Sequence, residues 1–160
     1  VSVEWVTPKA YINMARQVMG GIDLDPASSD FAQINVQAER YYTPDDDGLG
    51  NPRFGRVWLS PPNGRGSFAA FTDRLVEEYL SGRVLEAIAL VPNNTDTAWY
   101  HRLFRVPNMR VCLKTGRIRF ETRDRKPGTP AQGQSFFYLG PNVDRFKEVF
   151  SPIGNVWGAA

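Results

Sequence analysis

The sequence predicts a single α/β domain in which strands and helices alternate early and strands cluster late, so that the carboxyl-terminal part of the sheet is antiparallel. Three observations carry this. Apolar runs of strand length, "RVWL" and "EAIALV", are separated by a segment that places Phe68, Phe71, Leu75 and Tyr79 at helical spacing. "MRVCLK", "RIRFET" and "SFFYLG" then follow as β-rich segments divided by turns. Finally, 160 residues can bury a substantial core without disulfides but leave little room for a second domain.

From the amino terminus, Pro8 at a first helical position and a run of helix formers predict a helix over 8–19, capped by Thr7 and ended by Gly20 and Gly21. "IDLDP" alternates apolar and acidic residues, which predicts a short strand delivering Asp23 and Asp25 to its end, stopped by Pro26. Residues 27–42 are irregular or weakly helical, and 43–55 are loop. A strand over 56–59 precedes the phenylalanine-rich helix, which ends at Gly82. "LEAIALVP" is a buried strand, and "NNTDTAWYHRLF" opens a helix with Thr95 or Asp96 as cap and Trp99 and Leu103 turned to the core. A short helix over 142–150 and the strand "GNVWG" close the fold.

Composition removes several chemistries. Cys112 is the only cysteine and His101 the only histidine, so disulfide frameworks, zinc deaminase sites and histidine triads are not expected, nor any metal. Cys112, inside "VCL", reads as core rather than as a nucleophile. No apolar run is long enough to span a bilayer and the first residues carry no targeting pattern, so a cytoplasmic setting is expected. Net charge is only +2, but residues 110–126 hold seven basic side chains against two acidic ones. Lys114, Arg117, Arg119, Arg123 and Arg125 belong to this segment, where a hairpin burying Ile118 and Phe120 would offer the arginines to phosphates.

The sharpest local signal is "LSPPNG" at the end of the 56–59 strand. Two consecutive prolines remove two donors and fix two φ angles, leaving rigid acceptors at a strand end, the edge where α/β sheets bind ligands. Such acceptors suit an exocyclic amino group. An amino nitrogen conjugated into adenine or cytosine is a poor nucleophile, and holding its hydrogens on Ser60 and on the Pro61 carbonyl turns its lone pair toward an electrophile.

"SPPNG" resembles the Asp/Asn/Ser-Pro-Pro-aromatic motif of amino-group DNA methyltransferases. Taken in order, "WVTP", "IDLDPAS", "YYTPDDDGL", "RVWLSPPNGRG", "NNTDTAWYH", "KTGRIRF" and "SFFYL" resemble the short phage-type DNA N6-adenine methyltransferases over residues 5–139. The resemblance implies a Rossmann-like sheet that uses S-adenosylmethionine, DNA as partner, and one domain over 1–160 with no separate target-recognition unit. It assigns Ser60, Pro61, Pro62 and Asn63 to catalysis. Thr7, Pro8, Asp23, Asp25, Pro26 and Ala27 would meet the cofactor, with Asp47, Gly48 and Leu49 approaching its adenine. Asn93 and Asn94 at a strand end, with Asp96 and Trp99, would wall the base pocket. The residues themselves also fit a plainer account, in which Asp23 and Asp25 are solvated strand-end charges and 45–47 a polar turn.

The chain departs from the family at two motif positions. Asn63 stands where an aromatic ring would stack on the base, so that Phe68, Trp99 or Tyr100 takes over, hydrogen bonds suffice, or turnover is impaired. Ser60 replaces Asn or Asp, a choice also found among cytosine-N4 methylases. Three readings stay open here: adenine N6 methylation, methylation of cytosine N4 or of RNA, and a relative that binds DNA or cofactor without turnover. With so short a chain, a homodimer or another partner would add sequence specificity.

Overall fold

The computed structural model describes residues 4–124 and 126–158. Its centre is a seven-stranded sheet in the order β2-β1-β3-β4-β6-β5-β7. Strands β1 (Leu24–Asp25), β2 (Arg40–Tyr41), β3 (Gly55–Leu59) and β4 (Val84–Pro92) run parallel, while β5 (Arg110–Lys114), β6 (Gln134–Leu139) and β7 (Gly154–Gly158) form an antiparallel extension. Strand β6 lies between β4 and β5, antiparallel to both.

Helices cover both faces, and the sheet's period of two sorts the core accordingly. Leu59, Ala87, Ala89, Val91, Val111 and Phe137 pack under α3 (Ser67–Leu80) and α4 (Ala98–Phe104). Trp58, Ile88, Leu90, Cys112, Phe136 and Tyr138 pack under α1 (Lys9–Met19) and α5 (Val143–Phe150). Cys112 is fully enclosed, and burial pushes its thiol up to about 11, which fits core and not chemistry.

Several boundaries differ from the sequence expectation. Helix α1 starts at Lys9 with no side-chain cap, so Thr7 is not its cap, and it ends on Gly20 in the left-handed region at φ 82. Residues 30–36 form a true helix, α2 (Asp30–Val36), because Ser29 caps it by accepting from the Ala32 N–H at 3.0 Å. Helix α4 is capped by Thr97, which accepts from the Tyr100 N–H, and not by Thr95 or Asp96. "RIRFET" is no strand. It makes single bridges only, from Glu121 to Val6 and from Phe120 to Gly128, although Ile118 and Phe120 are buried and Arg117 and Arg119 exposed as its alternation required.

Candidate active site

Parallel strands β1 to β4 all end on one edge, and there a cavity of about 860 Å³ opens. That lies toward the upper end of the roughly 300–1,000 Å³ of ligand pockets. Its walls bring together Ser60, Pro61, Pro62 and Asn63 with Thr7, Asp25, Pro26, Ala27, Asp47, Gly48 and Leu49. These residues come from four separate stretches of chain.

The Ser-Pro-Pro turn follows β3 directly. Pro61 is buried, Ser60 half-buried, and Pro62 and Asn63 exposed at the mouth. Neither the Ser60 hydroxyl nor the Pro61 carbonyl has a hydrogen-bond partner among the described residues, so both remain free acceptors on residues that line the cavity.

At the β1 end, Asp25 is 2 % exposed. The Ala27 N–H donates to its Oδ1 and the Gln33 amide to its Oδ2, each at 3.2 Å. Among the described residues no cation pairs with it, and burial pushes its carboxyl up to about 7 against the pull of hydrogen bonds from Ser28 and the Ala27 N–H. Gln33 is itself held, donating to the Ser28 hydroxyl at 2.8 Å and accepting from the Ala38 N–H at 2.8 Å. The carboxylate is thus fixed in place with accepting capacity left toward the cavity.

The loop after β2 folds onto this end. Gly48 sits against the backbone of Pro26, where an added Cβ would lie 2.3 Å from the Pro26 carbonyl oxygen, so only glycine permits that approach. Asp47 turns the loop at φ 52, its own Oδ1 accepting from the Gly50 N–H at 3.2 Å.

Other expected site residues lie elsewhere. The Asp23 carboxylate is taken by Arg56, which donates to it from its backbone N–H at 2.8 Å and from Nε and Nη2 at 2.9 Å. These bonds hold Asp23 below the usual carboxylate range, and it does not line the cavity. Pro8 also lies outside, at the entry to α1. Asn93 turns inward, accepting from Ser135 and Tyr100, and its neighbour Asn94 takes the cavity position instead. Asp96 is exposed and away from the wall. Trp99 is buried behind Phe68, their rings stacked at 5.6 Å, and it is Phe68 that meets the cavity.

Of the basic side chains, Lys114 donates to the Thr115 carbonyl and Arg117 to that of Ala131. Arg123 pairs with Glu4 at 3.4 Å and lies 4.6 Å over Phe31. Arg119 is exposed with no partner among the described residues, and it borders a smaller hollow with Lys126. Arg125 lies outside the described residues. His101 caps the loop before α4 through the Thr95 carbonyl at 2.7 Å, a structural role.

Sequence reasoning missed Trp5 and Phe120, stacked at 5.6 Å beside the cavity, and the inward-facing Gln134. Alternation along β6 would have placed Gln134 on one face with Phe136 and Tyr138, as a polar residue in an apolar row.

The parallel strand ends, the inserted antiparallel β6 and the Ser-Pro-Pro turn facing a deep cavity define a Rossmann-like methyltransferase. The family model described as DNA N-6-adenine-methyltransferase (Dam) matches residues 1–137, and the chain belongs to that family. It is a DNA N6-adenine methyltransferase, with DNA and a methyl donor as substrates. No curated protein matches the sequence. Among the described residues no helix is long and apolar enough to cross a membrane.

Proposed function

We propose that the methyl donor is S-adenosylmethionine, held at the Asp25 end of the cavity, and that the target adenine enters at the Ser60 end. The observation that carries this division is the pairing of one buried carboxylate with one unpartnered Ser-Pro acceptor set along a single cavity. The donor set fits that cofactor. Asp25 would accept from its ribose hydroxyls, as strand-end acids do in nucleotide-binding folds. The loop 47–49 approaches where its adenine would lie, and Thr7, Pro26 and Ala27 complete the wall. Bound there, S-adenosylmethionine supplies an electrophilic methyl group.

The chain's own part is orientation. The Ser60 hydroxyl and the Pro61 carbonyl accept the two hydrogens of the adenine amino group, drawing the nitrogen lone pair out of conjugation. Pro62 fixes the turn, and Asn63 lines the mouth. Phe68 supplies the ring face absent at Asn63, because Trp99 backs it from behind and its other side borders the cavity. This favours an active enzyme over a relative without turnover. Arg119 and Lys126, which border the smaller hollow, would meet the phosphate backbone. Such an enzyme works in the cytoplasm, where its DNA is. The outer edge of β7, with Trp157 exposed, would be the pairing surface of a homodimer.

Unmethylated DNA incubated with the protein and methyl-labelled S-adenosylmethionine tests the reading by nucleoside mass spectrometry. Label in N6-methyladenine is expected, and Ser60→Ala lowers its rate by about 10- to 100-fold with cofactor affinity kept. Label confined to N4-methylcytosine, or to RNA, would overturn the choice of acceptor. Unchanged turnover in Ser60→Ala would remove that side chain from the mechanism.

A further inference from the structure

Gln134 opens β6, opposite Pro92 at the last rung of the β4–β6 ladder. Its neighbours on the strand are accounted for. Ser135 donates to Asn93 on one face, and Phe136 packs between Tyr11, Trp58 and Phe150 on the other. Gln134 alone on this strand carries a polar group with nothing to do. Its residue is 6 % exposed, and its side-chain amide has no hydrogen-bond partner among the described residues. The fully enclosed polar atoms that lack a hydrogen bond belong to Arg53 and to Arg74, the latter ion-paired with Glu78, so the Gln134 amide instead meets open space. The space Gln134 borders is the cavity, between the apolar side chains of Leu90, Pro92 and Phe120.

Such a group is out of place unless a ligand completes it, since buried amides in proteins are almost always paired. Sheet order says which ligand. Strand β6 is two strands from β3, which carries the Ser60 turn, and three from β1, which carries Asp25. At about 4.8 Å per strand, Gln134 lies roughly 14 Å across the sheet from the carboxylate end and on the far side of the Ser-Pro-Pro turn from it. A group there faces the base and not the cofactor.

Resting on the adenine reading above, we propose that Gln134 positions the target base, its Nε2 donating to one of the two ring nitrogens that flank the amino group, N1 or N7. That carbon has a ring nitrogen, N1, on one side, and the fused ring presents N7 on the other. With the amino hydrogens taken by Ser60 and Pro61, a donor is the one group still needed along this edge of the base. An amide provides it without charge, in the same way that Gln reads adenine in DNA grooves. Gln134 is therefore a positioning residue. It fixes the plane and rotation of the ring so that the amino group meets its two acceptors.

The test uses the whole protein, labelled S-adenosylmethionine and a duplex that the wild type methylates, with the target adenine replaced by 1-deazaadenine or by 7-deazaadenine. In the wild type one analogue is expected to lower kcat/KM by about 10- to 100-fold, and the identity of that analogue names the contacted nitrogen. In Gln134→Met, which keeps size and removes the donor, adenine and that analogue are expected to react at the same reduced rate. Gln134→Glu, which accepts but does not donate when ionised, serves if the methionine variant fails to fold. Calorimetric affinity for S-adenosylmethionine should stay within about twofold in either.

Wild-type discrimination that persists in both variants would overturn the proposal. So would a loss of cofactor affinity as large as the loss of turnover, which would give the amide to the cofactor. Absence of labelled N6-methyladenine from the wild type itself would overturn the adenine reading first and this one with it.

Discussion

Asp23 and Asp25 lie two residues apart, the first just before β1 and the second at its end, and the molecule treats them in opposite ways. Asp23 meets Arg56, whose guanidinium and backbone N–H make three donations to it. The pairing favours the charged form and holds it below the usual range. Asp25 lines the cavity with no cation beside it among the described residues, and burial pushes it up to about 7. A satisfied carboxylate is structure. One kept short of partners at a cavity wall is poised for a ligand, and this is the physical sense in which perturbed groups mark sites.

The largest expected effect comes from removing the strained member. Because the folded value of Asp25, about 7, is raised above the unfolded value near 3.9, its contribution to stability is fully present below about pH 4. It is lost as pH rises toward 7 and changes no further above that. Asp25→Asn should abolish this component. Thermal or urea unfolding of the variant is expected to show greater stability than the wild type at pH 8, by on the order of a few kcal/mol, with the gap closing near pH 4. A gap that did not depend on pH would show that burial does not set the titration of this group.

The same substitution should do the opposite to cofactor binding. With the accepting carboxylate gone, affinity for S-adenosylmethionine is expected to fall by about 100-fold, or nearly 3 kcal/mol, in line with loss of a charged hydrogen-bond acceptor. Wild-type affinity should rise by up to tenfold per pH unit below about 7 and level off above it, because the ionised form is the better acceptor. Calorimetry across pH 5.5–8.5 measures both. A variant that is more stable yet binds worse would identify Asp25 as a group retained for function at the expense of the fold.

Asp23 supplies the smaller, contrasting effect. Asp23→Asn should leave cofactor affinity unchanged and cost about 1–2 kcal/mol of stability, since the Arg56 ion pair is only part-buried, with side-chain exposures of 33 % and 20 %. Its pH signature has the opposite sign. The folded value is depressed, so the stabilisation is present above the unfolded value near 3.9 and is lost as pH falls below it. Differential unfolding curves at pH 3 and pH 7 check this, and cofactor loss in Asp23→Asn would erase the distinction between the two acids.

What the sequence made legible follows the same division. Periodicity placed the long strands and helices, since Val57 to Leu59 and the row Phe68, Phe71, Leu75 carry their burial in their spacing. Ser60 to Asn63 were legible because two prolines admit few geometries. The fates of Asp23 and Asp25 were not, because "DLD" does not say that Arg56, far along the chain, will reach back to one of them. For the same reason the sequence did not separate Asn93 from Asn94, of which only Asn94 lines the cavity. The cavity takes the one whose amide the neighbouring strand leaves free, and the partner Ser135 arrives 42 residues later. Gln134 was hidden by its place in an apolar strand. Local pattern reveals elements and rigid turns, while the difference between a used and an unused polar group is settled by long-range pairing.

The basic segment extends this rule to cations and carries the smallest effect. Arg123 is engaged by Glu4 and Phe31, whereas Arg119 has no partner among the described residues. If an unpartnered charge is the one available to DNA, Arg119→Ala should weaken binding across all sequences and reduce the slope of log affinity against log salt by about one. Arg123→Ala should change that slope less and instead loosen the amino-terminal stretch, because Glu4 also accepts from the Ser29 hydroxyl at the start of α2. Titrations of labelled duplex at four salt concentrations separate the two. Equal slopes in both variants would mean that Arg123 leaves Glu4 for phosphate when DNA arrives, and that the partners seen in the free protein do not decide which arginine serves the nucleic acid.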